Sequence, residues 1–308
     1  MSNGEQMNPD FSATEIVATA KPLVADRTSK IQLHDLVVDE LKRFLSETGN
    51  QNFPLEKQFS NQELSERVSR YEKSVSALCG LLVLISYWGA RNHKVILQQI
   101  FARSTDQLVE ESGLHVWLSL RWYPIILELY CAGISLVYGG RYHSLNDILY
   151  TKIASSNFYD NEQYFGQFVT KGLTKIERDE TFKRLPGHER QHTPLNEYLL
   201  KTLQPMLDEV LFMGNNYERS FDEFEVLFSL IVADMNKQHG QTAWGPIGRF
   251  GWKQQNHNQP PFARIVEEAK RLQEKWPPLA AGLFGGDYQR FINLLEDFEK
   301  ILREHRYW

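Results

Sequence analysis

Apolar residues in this chain recur mainly at helical spacing, and in two stretches they leave no polar face at all. Over Ile31 to Leu45, the residues Leu33, Leu36, Val37, Leu41, Phe44 and Leu45 fall on one stripe. Asp39, Glu40, Lys42 and Arg43 fall elsewhere, which predicts an amphipathic helix. A shorter helix is expected within Phe11 to Ala25. Ser60-Asn61-Gln62-Glu63 reads as a capping box that opens a long helix, with Leu64, Val68, Tyr71, Val75 and Leu78 as its first stripe. Beyond Lys73 the stripe widens, and Ser74 to Ala90 carries no charge. Gly89 is the expected stop, with a further helix from Asn92 to about Ala102. Pro124 suits the first turn of the next major helix. From Ile125 to Tyr138 nearly every residue is apolar on every face, which predicts a helix buried in a large core or in a membrane. Gly139 and Gly140 end it, and Ser144 with Asp147 forms an imperfect capping box for another short helix.

The second half is less even. Thr151 to Gln191 mixes charges of both signs and reads as either an ordered excursion or a mobile connection. Thr193-Pro194 then starts a helix striped by Leu195, Leu199, Leu200, Leu203, Met206, Leu207 and Val210. Ser220-Phe221-Asp222-Glu223 reads as a second capping box. The helix it opens runs through Phe224, Leu227, Phe228, Ile231 and Val232 to Gly240. Gln241 to Pro261 reads as a loop, followed by helices over Phe262 to Trp276 and Asp287 to about Arg303. No repeat and no sustained alternation of β-branched residues is found. The expected fold is all-α, a multi-helix array around a fully buried central hydrophobic helix. Residues 1–28 are expected to form a mobile N-terminal segment with a short helix, and 29–308 one large helical domain with a sub-boundary within 151–192.

Composition narrows the function classes. Hydrophobic residues make up 42% and charged residues 24%, as in a globular protein with a real core, and the formal charge of −5 gives no signal for nucleic acid. Cys79 and Cys131 both sit in apolar runs and read as reduced core residues. No basic-then-apolar leader opens the sequence, so the cytoplasm is the expected compartment. A membrane hairpin is the less favoured account of the two apolar runs. Ser74 to Ala90 falls short of the roughly 20 residues that a spanning helix needs. Tyr123 to Gly140 contains Glu128 and is flanked by Arg121.

Candidate chemistry is sparse. His188-Glu189-Arg190-Gln191-His192 matches the H-E-x-x-H pattern, in which two histidines on one helical face hold zinc and the glutamate acts as base. Pro186-Gly187 before it and Pro194 after it disfavour the helical turn that this chemistry requires. A zinc hydrolase using His188 and His192 therefore stays an alternative, and no metal or cofactor is expected. Trp244-Gly245-Pro246-Ile247-Gly248-Arg249-Phe250-Gly251-Trp252 is the most distinctive segment. Trp and Arg are residue types favoured at binding hot spots, which makes Trp244, Arg249, Phe250 and Trp252 a candidate recognition surface, although aromatics packed on the helices are the simpler account of the loop. Arg141 and Tyr142, at the end of the buried helix, could meet an anion or simply cap the helix C-terminus. Glu128 is the only charge between Arg121 and Arg141. It reads as a core-edge residue or a partner of Arg91, Arg121 or Arg141, with a functional buried carboxylate of raised pKa as the sharper alternative.

Seven segments together resemble a known region: Arg70-Tyr71-Glu72, Tyr87-Trp88-Gly89, Arg121-Trp122-Tyr123-Pro124, Arg141-Tyr142 with Leu145, His192-Thr193-Pro194-Leu195, Phe224-Glu225, and Trp244 to Phe250. From about Phe59 to Phe250 the chain resembles the uncharacterised C-terminal helical region of bacterial multidomain proteins. There the region follows sirtuin-like, Toll/interleukin-receptor-like or Schlafen-like ATP-binding modules, many suspected of antiphage defence. The resemblance implies an all-helical sensor or assembly region and names no catalytic residue. No effector module stands in this sequence, which implies one supplied by a separate protein, or action through binding alone. The expected function is a non-enzymatic sensor that binds a macromolecular partner or trigger and controls an effector. A zinc hydrolase and a membrane-perturbing effector are the alternatives.

Overall fold

The computed structural model describes residues 12–108, 112–153, 163–256 and 260–304. The expected mobile stretch from Met1 to Asp10 lies outside these residues. In chain order the first helices are α1 (Ala13–Ala25), α2 (Lys30–Glu47), α3 (Asn61–Trp88), α4 (Lys94–Thr105), α5 (His115–Leu120), α6 (Tyr123–Tyr138) and α7 (Tyr142–Leu149). Strands β1 (Lys152–Ile153) and β2 (Gln163–Tyr164) pair antiparallel, with Lys152 opposite Tyr164. They lead into α8 (Phe165–Arg178), α9 (Pro194–Leu211), α10 (Asn216–Gln238), α11 (Arg249–Asn256), α12 (Pro261–Leu272), α13 (Pro277–Ala280) and α14 (Tyr288–Glu304). The all-α class holds, with this short pair the only sheet among the described residues.

The two uncharged runs become the two central helices. Every residue from Tyr123 to Val137 of α6 is buried, as is every residue from Ala77 to Ser86 of α3, and these helices pack most extensively on one another. Apolar side chains on all faces of a helix need neighbours on all faces. α1, α2 and α9 supply them around α3, while α10, α9 and α7 supply them around α6. The stretch His115–Tyr138 has the length and mean hydropathy of a membrane span, but 94% of its apolar window is buried inside the protein. The crossing of α6 and α10 is close because Gly133 has no side chain: a Cβ there would lie 2.1 Å from Cε2 of Phe224. C-terminal helices α12 and α14 then cover α10.

Several local expectations change. Residues 12–28 are not a loose segment: α1 is closed by a reciprocal capping box between Ser12 and Glu15, and it buries Ile16, Val17, Ala20 and Val24. At Ser60 half of the expected box forms. Its Oγ accepts from the Glu63 N–H at 3.1 Å, but the Glu63 carboxylate turns instead to Arg67 and Lys57. Ser60→Ala should therefore lower stability by about 1 kcal/mol, read as a shifted urea midpoint with an unchanged slope. The other two boxes do not form. Ser144 lies inside α7, and Asp147 pairs with Lys94. α10 runs through Ser220 from Asn216, because Tyr217 is buried and its hydroxyl donates to the Leu200 carbonyl at 2.8 Å. The region expected to be irregular contains α8, whose Phe165, Val169, Leu173 and Ile176 form a buried stripe.

Candidate functional site

The glycine-rich segment before α11 packs across α10 without regular secondary structure. A Cβ on Gly245 would lie 2.0 Å from the Ser229 carbonyl oxygen, and one on Gly248 would lie 2.4 Å from the Glu225 carboxylate. Glycine at these two places lets the backbone press onto the helix. The segment thus delivers Arg249 to the interior, where the residue is only 4% exposed.

Arg249 joins three elements. Its Nε donates to Glu197 at 2.9 Å, Nη1 to Asp222 at 3.1 Å and Nη2 to Glu218 at 3.0 Å, while its backbone N–H donates to Glu225 at 2.8 Å. Lys253, one turn on, donates to Glu218 at 2.8 Å and Asp222 at 2.5 Å, and the Trp252 indole donates to Glu197 at 3.2 Å. The acids outnumber the cations, and burial separates them. Hydrogen bonds from Lys253 and Arg249 hold the half-exposed Glu218 down at about 2 despite some desolvation. Burial, with Asp222 nearby, raises Glu225 to about 7. The network pins α11 to α9 and α10.

This placement corrects the expected recognition surface. Arg249 and Phe250 are interior residues, and Trp252 is half-buried against the network. Arg141 and Tyr142 are also half-buried. Arg141 Nη1 donates to the Tyr87 carbonyl at 3.1 Å, and the Tyr142 hydroxyl to Glu223 at 2.9 Å, so they tie the start of α7 to α3 and α10. The H-E-x-x-H pattern falls in turns, not on a helix. His188 is buried, packed on Tyr198 and bonded to Gln191, whereas His192 is exposed. The flanking prolines and glycine prevent the turn that would align the pair. Among the described residues no three His, Cys, Asp or Glu side chains are grouped to hold a metal ion. Glu128 has no arginine partner: it is fully buried, and neither carboxylate oxygen is hydrogen-bonded.

Trp244 borders an open space. A cleft of about 180 Å³ lies between α8, the start of α9 and the glycine-rich segment, lined by Ile176, Glu177, Phe182, His192, Thr193, Asn196, Trp244 and Ile247 among others. Beyond Glu177, Asn196 and Ile247 a chamber of about 10 Å³ continues to Tyr130, Glu225 and Gly248. At its inner end Asn196 donates to Glu225 at 2.6 Å and to the Tyr130 hydroxyl at 3.0 Å, and that hydroxyl lies 3.2 Å from Glu225. Thr193 is buried, and its hydroxyl oxygen has no hydrogen-bond partner. Crowding by the walls raises the Glu177 carboxyl to about 7. Its side chain remains open to solvent at the mouth, which softens that shift. Among the described residues no cation pairs with its carboxylate: Lys183, the nearby cation of the cleft wall, is bound to Glu180 at 2.7 Å.

Glu177, Asn196 and Tyr130 are not among the candidates that the sequence offers. They come from α8, α9 and α6, and nothing local marks them. Glu225 carried one signal, a carboxylate set between Phe224 and Val226 in an apolar helix. No family model matches the chain, and neither the curated proteins nor the solved structures contain a significant match.

Proposed function

We propose that this chain is a helical interaction module that seats a positively charged group of a macromolecular partner in the Trp244 cleft. Through that contact it controls an associated effector, the role implied by its resemblance to the helical region of bacterial defence proteins. The observation that carries the reading is Glu177, a carboxylate at the mouth of a cleft beside an indole, with no cation bound to it among the described residues. An entering cation gains the carboxylate and the face of Trp244 together. The cleft is smaller than the about 300–1,000 Å³ of small-molecule sites, and it suits a group the size of one side chain.

Titration of the protein with N-acetylarginine amide, followed through the indole N–H resonance of Trp244, tests this reading. The arginine derivative should shift the resonance at millimolar concentration, and the neutral citrulline analogue should not. Glu177→Gln should weaken binding about ten-fold, near the 1.4 kcal/mol of one charged hydrogen bond. The cation favours the ionised carboxylate, so affinity should fall as pH drops from about 7 toward 4.5 in the wild type and stay flat in Glu177→Gln. Equal shifts with arginine and citrulline, or none with either, would sink the proposal.

A further inference from the structure

One end of the helical body differs in surface chemistry from the rest. α2 and α4 run in the same direction: Thr48, after the end of α2, bonds to Gln107, after the end of α4, at 3.0 Å. At their other ends Lys30 and His93 are close enough to interact. α3 runs against α2, since Arg43 reaches the Ser74 carbonyl at 3.5 Å. From that contact Lys30 and Trp88 each lie about 20 Å along their helices, at about 1.5 Å per residue, toward the same end. The start of α2, the end of α3 and the start of α4 therefore meet there, and the end of α6 joins them through the stacked rings of Tyr87 and Tyr138.

This end carries Ile31 at 74% exposure, Val95 at 68% and Trp88 at 63%, three of the five exposed large hydrophobics among the described residues. Scattered single apolar residues need no explanation, but three on adjoining helix ends do. Around them Arg27, Lys30, Arg91, Lys94 and Arg141 outnumber Asp26, Asp35 and Asp147. Lys94 is neutralised by Asp147 at 2.6 Å, and Arg27 stands beside Asp26, which bonds within its own turn. Lys30, Arg91 and Arg141 pair with no carboxylate among the described residues, and Arg141 is half-buried without a counter-ion. In a chain of net charge −5 this is a local surplus of positive charge around an apolar centre.

We propose that this end of the bundle docks on an anionic lipid surface, with Trp88, Val95 and Ile31 entering the headgroup region and Lys30, Arg91 and Arg141 meeting lipid phosphates and carboxylates. The groups stand on the tips of separate helices, so the surface they form is a set of projecting side chains. A fluid, flat interface accommodates such tips individually. Tryptophan favours the headgroup level, and long cationic side chains can lay their stems on apolar surface while their charges stay in the polar layer. Docking of this kind is peripheral and leaves α3 and α6 in the protein core.

Flotation of the full chain with vesicles tests the proposal, using phosphatidylcholine alone against phosphatidylcholine mixed with phosphatidylserine. Binding is expected only with the anionic lipid, accompanied by a blue shift of the Trp88 emission that Trp88→Phe removes. Each of Lys30→Glu and Arg91→Glu should weaken binding by at least about five-fold, and added salt should weaken it in the wild type. Trp88→Ser should weaken it at every salt concentration. These side chains are exposed, so circular dichroism should show every variant folded. Glu177→Gln should bind vesicles like the wild type, which separates this face from the cleft. No vesicle binding at low salt, equal binding to neutral vesicles, or indifference to both charge reversals would overturn the proposal. Binding to polyglutamate without binding to vesicles would also overturn it, in favour of an acidic polypeptide partner.

Discussion

Arg249→Ala should destabilise the protein by about 3–5 kcal/mol, the cost of removing one partner from a buried charge network. The reason lies in what is left behind. Asp222 is 5% exposed and Glu225 2%, and both sit within reach of the guanidinium that the substitution deletes. Lys253 still serves Asp222 and Glu218, but nothing replaces the bond from Nε to Glu197. Arg249→Lys should recover little, because one ammonium cannot reach Glu197, Asp222 and Glu218 at once as the planar fork does. Loss of the guanidinium raises Asp222 and Glu225 further, so at these two groups the unfolded state releases protons more readily than the folded one does. The deficit should therefore grow as pH rises from 5 to 8 and shrink as the acids are protonated. Urea unfolding of the wild type and both variants at the two pH values checks this. A loss below about 1 kcal/mol, or one independent of pH, would mean that the network does not hold α11 in place.

The same network shows where sequence reading stops. The pattern from Pro124 to Gly139 predicts α6 nearly to the residue, because continuous burial and glycine capping are local properties. Ser60 marks the start of α3 for the same reason. Ser220 and Ser144 mislead because S-x-x-D/E also fits a helix interior, and tertiary anchors such as Tyr217 decide where the helix begins. α8 carried a legible stripe in Phe165, Val169, Leu173 and Ile176, obscured by Lys171, Lys175, Glu177 and Arg178 between and beside those positions. The Trp244 to Trp252 segment stands out in the sequence by its glycines and aromatics. Its tryptophans and arginine resemble a recognition surface until Gly245 and Gly248 are seen to bring it against α10, where Glu197, Glu218 and Asp222 await Arg249. Glu177 and Asn196 of the cleft meet Trp244 only through the packing of α8 and α9 beside α10.

Glu128→Met should stabilise the protein, by about 3 kcal/mol at pH 7, because the wild type buries a carboxyl without partners. Both Glu128 oxygens are inaccessible and unbonded, and the residue is fully enclosed in the middle of α6. Ser104 on α4 is near enough to soften the effect, yet its hydroxyl makes no bond of normal geometry. Burial raises the carboxyl from 4.5 to about 8. Between those values the folded state holds the proton and the unfolded state has released it, so rising pH opposes folding by about 1.4 kcal/mol per unit. Below about 4.5 both states are protonated and the pH-dependent part of the penalty vanishes, while above about 8 both are ionised and it stands in full. The advantage of Glu128→Met over the wild type should therefore widen steadily from pH 5 to 8. Glu128→Gln removes the charge but keeps buried polar atoms without partners, so its advantage should be smaller by about 1–3 kcal/mol and flat with pH relative to Glu128→Met. Guanidinium unfolding across that range decides it. If Glu128→Met proves less stable than the wild type at pH 8, the carboxylate has a stabilising partner and this account of the core is wrong. Should the variant be more stable and yet impair binding in the Trp244 cleft, Glu128 would belong with the functional groups.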